Sequence, residues 1–141
     1  MAISQAMCTS FKVEILDGIH AFGTTVVRAA TTADTFKIAL YTSSATLDST
    51  TTVYSATNEA SGTGYTAGGN TLTTATGSVF ISGTTAYISF NDTTWASSTI
   101  SAAGALIYNS SKSNKAVLVL SFGGTYSSTS GNFTVQFPAA T

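Results

Sequence analysis

Apolar residues recur along this chain with two different periods, and the change between them separates an opening helix from a long β region. From Ser4 to Asp17, Met7, Phe11 and Ile15 fall every four residues with Cys8 and Leu16 beside them, which is the spacing of one apolar helix face. The pattern predicts one short helix over about residues 4–17, with Ser4 capping its start and Gly18 supplying the left-handed residue that ends it. Lys12, Glu14 and Asp17 are expected towards the other side.

Beyond a hydroxyl-rich stretch from Thr24 to Thr35 the period becomes two. Phe36, Ile38 and Leu40 alternate with Lys37, Ala39 and Tyr41, which predicts a strand. Residues 43–69 are rich in Ser, Thr and Gly and read as a long loop, with a short strand at Val53 and Tyr54 and a flexible turn from Ser61 to Tyr65. A loop this long in so small a domain is usually functional, so it is a candidate contact arm. Val79 and Ile81, then Ala86, Ile88 and Phe90, flank Ser82-Gly83-Thr84 and predict a hairpin. Three more strands are expected at Ala102–Tyr108, Ala116–Phe122 and Phe133–Phe137, divided by turn clusters at 109–114 and 123–131, with Pro138 ending the last.

Short strands without βα alternation point to a mainly β fold: an antiparallel β-sandwich of jelly-roll or Greek-key type with one short N-terminal helix, in a single domain spanning residues 1–141. Thr suits the outward positions of such strands. Their uncharged edges are open to pairing with another chain.

Composition narrows the function. Charged residues make up 8% of the chain, against roughly 25% in an average soluble protein, and polarity comes instead from Ser and Thr, which fill about a third of the positions. With 43% hydrophobic residues and a net charge of -1 the chain is expected to fold rather than stay disordered. Five Lys and Arg give no electrostatic footprint for nucleic acid or an anionic membrane, so neither is expected as a partner. A surface with so little charge favours association, the property of an assembly component.

Cys8 is the single cysteine and has no intramolecular disulfide partner. The sequence has no apolar run of about 18 residues and no secretory pattern at its start, which places the expected site of action in the cytosol or in a particle assembled there.

Candidate chemistry is sparse. Catalysis needs groups of tunable pKa held together, and His20 is the only histidine; Cys8 reads as a core residue and His20 as a cap or packing residue. The carboxylates Glu14, Asp17, Asp34, Asp48, Glu59 and Asp92 are dispersed, without the ligand spacing of a zinc or calcium site. Asn91-Asp92-Thr93 reads as a strand-end turn, and Gly62-Thr63-Gly64 and Gly68-Gly69 lack the Lys and helix of a phosphate loop. No catalytic, cofactor-binding or metal-binding residue is therefore assigned, and neither an enzyme nor a small-molecule substrate is expected. Trp95 with Tyr65, Tyr87, Tyr108 and Tyr126 would form an aromatic platform for sugars or a partner if the rings lay outside the core, although core packing is the simpler role for Trp95.

From Phe36 onward the chain carries an ordered set of segments: Thr35-Phe36-Lys37-Ile38-Ala39-Leu40-Tyr41-Thr42, Thr57-Asn58-Glu59, Gly62-Thr63-Gly64-Tyr65-Thr66-Ala67-Gly68-Gly69, Gly104-Ala105-Leu106-Ile107-Tyr108-Asn109 and Gly131-Asn132-Phe133-Thr134-Val135-Gln136-Phe137-Pro138. In this order they resemble a family of small structural proteins of tailed bacteriophages. The resemblance implies a virion component without chemistry, assembled in the host cytoplasm, whose partners are the major capsid protein or other virion proteins and copies of itself. Within that class the small β-rich chain looks like a head decoration or cement protein. The alternatives are a ring, sleeve or tail-tip protein of the neck or tail, and a glycan or receptor binder. Contacts are expected in Met1–Ser10, the 43–69 loop and Pro138–Thr141.

Overall fold

The structure is a computed structural model that describes residues 2–16, 18–22, 33–82 and 85–139. Ala6–Met7 form a two-residue strand, β1, and the helix α1 follows at Thr9–Leu16. The helix starts at Thr9 rather than Ser4 because the residues before it pair elsewhere. Ser4 donates its backbone N–H to the Leu47 carbonyl at 2.9 Å, and Ala6 and Met7 lie opposite Val119 and Leu118. Tertiary pairing here overrides the helical period. Gly18 ends the helix as expected, with φ 71°. Its N–H meets the Ile15 carbonyl at 3.0 Å and the Ile19 N–H meets that of Glu14 at 2.9 Å, the paired bonds of a Schellman cap.

The buried side of α1 differs from the expected one. Phe11 is buried, but so is Glu14, while Met7, Val13 and Ile15 are 45%, 57% and 45% exposed.

Six strands follow: β2 (Phe36–Tyr41), β3 (Asn70–Thr71), β4 (Thr74–Ser82), β5 (Thr85–Phe90), β6 (Thr93–Asn109) and β7 (Lys115–Val135). They form a five-stranded sheet in the order β1-β7-β6-β2-β3 and a two-stranded sheet β4-β5, and every strand pairing is antiparallel. The protein is thus mainly β, a β-sandwich-like fold with one short helix. β2 lies between β6 and β3 and is buried on both faces, so Ala39 and Tyr41 are as inaccessible as Ile38 and Leu40. In the β4-β5 hairpin Ile81 pairs with Ala86 and Ser82 with Thr85; its turn residues Gly83 and Thr84 lie outside the described residues, as do Asp17, 23–32 and both chain ends.

The last two strands are longer than the sequence pattern suggests. Residues 123–131 do not form a turn; they continue β7 and pair with β6, so the strands expected at 116–122 and 133–137 are one element. The glycines and serines mark bulges instead. From Ser121 to Tyr126 β7 advances five residues while its partner β6 moves only between Gly104 and Ala102, and Gly123 takes φ 76° within that stretch. A second irregularity, between Trp95 and Ile100, includes Ser97 at φ 48° and faces Ser130 at φ 47°. Bulges bend the bulged strand and increase its twist. An extended strand would hold Phe122 and Phe133 about 36 Å apart, yet their ring centroids are 6.3 Å apart. The hairpin therefore folds over on itself.

Among the described residues the fold encloses one core cluster. Ile38, Leu40, Leu106, Ile107 and Val119 fill it beside β2, and Trp95, Ile100, Phe133 and Val135 fill it under the bend.

Candidate functional site

Three polar assemblies and one groove hold the side chains with chemical potential. The first is built around His20. Asn109, fully buried near the end of β6, places its Nδ2 2.8 Å from Asp34 Oδ2 and 2.9 Å from His20 Nδ1. The two amide hydrogens go to these two acceptors, so Nδ1 of His20 accepts and its proton sits on Nε2. That nitrogen donates to Glu14 Oε2 at 2.7 Å. Lys115 Nζ lies 3.0 Å from Glu14 Oε1 and Lys112 Nζ 3.0 Å from Asp34 Oδ1. The Ala21 N–H donates to Asp34 Oδ2 at 3.0 Å, and the Ser111 N–H to Asn109 Oδ1 at 3.1 Å. Burial alone would raise both carboxyls. The hydrogen bonds from His20 and Lys115 and the charge of Lys115 hold Glu14 below the usual carboxylate range, and Asn109, the Ala21 N–H and Lys112 do the same for Asp34.

This network explains why α1 buries Glu14: the Lys115 ammonium and the His20 imidazole meet it there. It ties the helix and the 18–22 and 33–35 segments to the 109–115 turn. Both ring nitrogens of His20 are engaged, and its ring packs edge-on to Phe11 at 4.7 Å. Cys8 is wholly buried; burial, then the negative charges of Glu14 and Asp48, push its thiol up to about 11. A thiol so protonated is a poor nucleophile at neutral pH.

The second assembly pins the 43–69 loop. Glu59 accepts the Tyr54 hydroxyl at 2.7 Å, the Tyr65 hydroxyl at 2.6 Å and the Gly68 N–H at 2.7 Å. Tyr65 in turn accepts the Leu40 N–H at 2.9 Å, and Tyr108 donates to the Gly68 carbonyl at 2.7 Å while stacking on Tyr54. Burial, followed by the Glu59 carboxylate, raises the Tyr54 and Tyr65 phenols. The 43–69 loop, the candidate contact arm, is fastened to the sheet, and its short strand is a single bridge from Val53 to Lys115. The turn at 61–65 is likewise held: the Thr99 N–H donates to the Thr63 carbonyl at 2.9 Å, covering the outer edge of β6.

The third assembly fixes the bend. Ser98 is fully buried, and its Oγ lies 2.8 Å from Ser128 Oγ and 3.0 Å from the Trp95 and Gly131 carbonyls.

Of the aromatic platform, Trp95 is 3% exposed and packs between Tyr65 and Phe133, and Tyr108 is buried. Tyr126 alone stands well out, at 59% exposure. It borders a groove of about 720 Å³ between the two arms of the bent β7, lined also by Gln5, Phe122, Phe133, Asn132 and Gln136.

The structure brings together Glu14, His20, Asp34 and Asn109, which sequence reasoning left apart; it does not bring Cys8 into a hydrogen bond with His20. No group of three or more His, Cys, Asp or Glu placed to hold a metal exists among the described residues. The groove was not foreseen, because its lining comes from one strand expected to be two. Comparison with known proteins adds no relative: no family model, no curated protein and no solved structure matches the chain.

Proposed function

We propose that this is a non-enzymatic bacteriophage virion protein, a head decoration or cement subunit that binds the major capsid protein and neighbouring subunits. The observation that carries the protein-binding part is the inverted helix α1. It buries a carboxylate and leaves Val13 and Ile15 in solvent, with Met7 beside them on β1 and Val53 on the segment bridged to Lys115. Among the described residues, four of the five exposed large hydrophobic side chains lie on β1, α1 and the loop segment that borders the start of β7. Such an apolar set favours burial against another protein. The virion assignment is supported by the ordered segments from Phe36 to Pro138 that resemble phage structural proteins.

A subunit that binds only the assembled shell stabilises that state through its differential affinity, many weak contacts acting together. Quantitative peptide mass spectrometry of purified particles tests this. A copy number comparable to the major capsid protein is expected. A handful of copies would move the protein to the neck or tail, and absence would refute a virion role. Shells stripped of the protein should also break at lower temperature than decorated ones.

A further inference from the structure

We propose that the groove between the two arms of β7 binds a neutral glycan. This adds a ligand to the assembly role above and does not rest on it. The groove's volume, about 720 Å³, falls within the range of small-ligand sites. No charged residue lines it, and none occurs anywhere from Ala116 to Gln136. A phosphate, a uronic acid or a charged peptide would find no counter-charge there, and such a ligand loses hydration without compensation.

The lining has the two features a sugar requires. Tyr126 offers an exposed ring face with a polar tip, and Phe122 and Phe133 continue the apolar surface into the floor; the C–H face of a pyranose packs on such surfaces. Around them stand carboxamides, which present a donor and an acceptor together and so match adjacent sugar hydroxyls. The Asn132 and Gln136 side chains make no hydrogen bond within the described chain, nor does the Tyr126 hydroxyl, whereas Gln5 Oε1 already accepts the Ser121 N–H at 3.3 Å. The available polar groups are therefore Asn132, Gln136 and Tyr126. The bend positions them: residues 126 and 132–135 of one strand, with Gln136 just beyond its end, face residues 120–122 of the same strand because the bulges at Gly123 and Ser130 turn β7 back. The groove is open to solvent, so single-site binding is weak, and many copies on one surface would strengthen it through avidity.

The test uses the isolated full-length chain with maltoheptaose, cellohexaose, chitohexaose and a mannohexaose as neutral probes and a heparin hexasaccharide as the charged control. Saturation-transfer NMR and amide shift mapping are the readouts. At least one neutral probe should bind saturably, with shifts centred on Tyr126, Asn132 and Gln136 and no binding of the heparin fragment. Tyr126→Ala should weaken binding about tenfold and Asn132→Ala several-fold, both with unchanged thermal melting. The proposal is overturned if none of the four neutral probes saturates below about 10 mM, or if Tyr126→Ala binds as the unmodified chain does. Concentration-dependent shifts at these residues without any probe would also overturn it, assigning the groove to a second copy of the chain.

Discussion

Replacing Asn109 by Ala should destabilise the fold more than any other single change in its polar interior. The side chain is inaccessible to solvent and joins three groups: Asp34 Oδ2 at 2.8 Å, His20 Nδ1 at 2.9 Å and the Ser111 N–H at 3.1 Å. Losing the bond to a charged acceptor costs about 1.5–3 kcal/mol, and withdrawing the donor from a buried ring nitrogen about 1–3 kcal/mol. The Ser111 N–H sits at the chain surface, where water replaces the lost acceptor. Because the losses share one network they do not add fully, and a total of about 3–4 kcal/mol is expected. For a chain of this length that corresponds to a fall in Tm of about 10 °C. Trp95, buried near the opposite end of β6 from Asn109, provides the fluorescence signal for the melt, and far-ultraviolet circular dichroism checks it. Asn132→Ala, at an exposed position whose side chain makes no hydrogen bond among the described residues, serves as the control and should change Tm by less than about 2 °C. If Asn109→Ala melts with the control, the network is not what fastens α1 and the 18–22 segment to the 109–115 turn.

The remaining expectations concern acid, backbone and thiol. Glu14 and Asp34 have carboxyls held below their usual values, so the stability they contribute is full above the ordinary carboxylate range and is lost as pH falls through their lowered folded values; Tm measured from pH 7 to pH 2 should fall mainly below about pH 4, and a flat profile would contradict the assignment. Gly69→Ala places a Cβ 1.8 Å from the Ile38 carbonyl oxygen at a residue with φ 70°, and should unfold the chain or cost several kcal/mol, whereas Gly124→Ala meets nothing within 4 Å and should melt normally. Cys8 should resist a thiol reagent at pH 8 in the folded chain and react promptly in denaturant, since it is buried and its thiol is raised to about 11.

What was legible in the sequence followed local rules. Gly18 ended the helix because a left-handed position there favours a residue without a Cβ, and β2 and the β4-β5 hairpin lie where the period-two pattern put them. The start of α1 was illegible because the residues before it are claimed by Leu47 and by β7, far along the chain. The stretch Gly123-Gly124 through Gly131 has the composition of a turn, and only pairing with β6 makes it a bulged strand. The site was hidden for the same reason. Asn109 is 89 residues from His20 and 75 from Asp34, and no periodicity connects them. The one signal available was scarcity: in a chain with 11 charged residues, 5 basic and 6 acidic, each has a high chance of being placed for a partner.

That scarcity links the interior to the surface. Glu14, Asp34, Lys112 and Lys115 are joined in one network, and Glu59 is taken by two phenols and a backbone N–H. Charges that in most small domains keep neighbours apart are here used to hold segments of one chain together. From Ala116 onward β7 carries no charged residue, and its surface is left to hydroxyls, amides and a tyrosine, without the lysines that usually guard a sheet edge. Its bulges interrupt the regular row of edge groups, so simple strand addition is disfavoured along the bend. The proposed apolar contact at α1 and the proposed neutral contact in the groove use different residues on either side of Val119, so a subunit docked through Val13 and Ile15 would leave Tyr126 and Gln136 available to a second ligand.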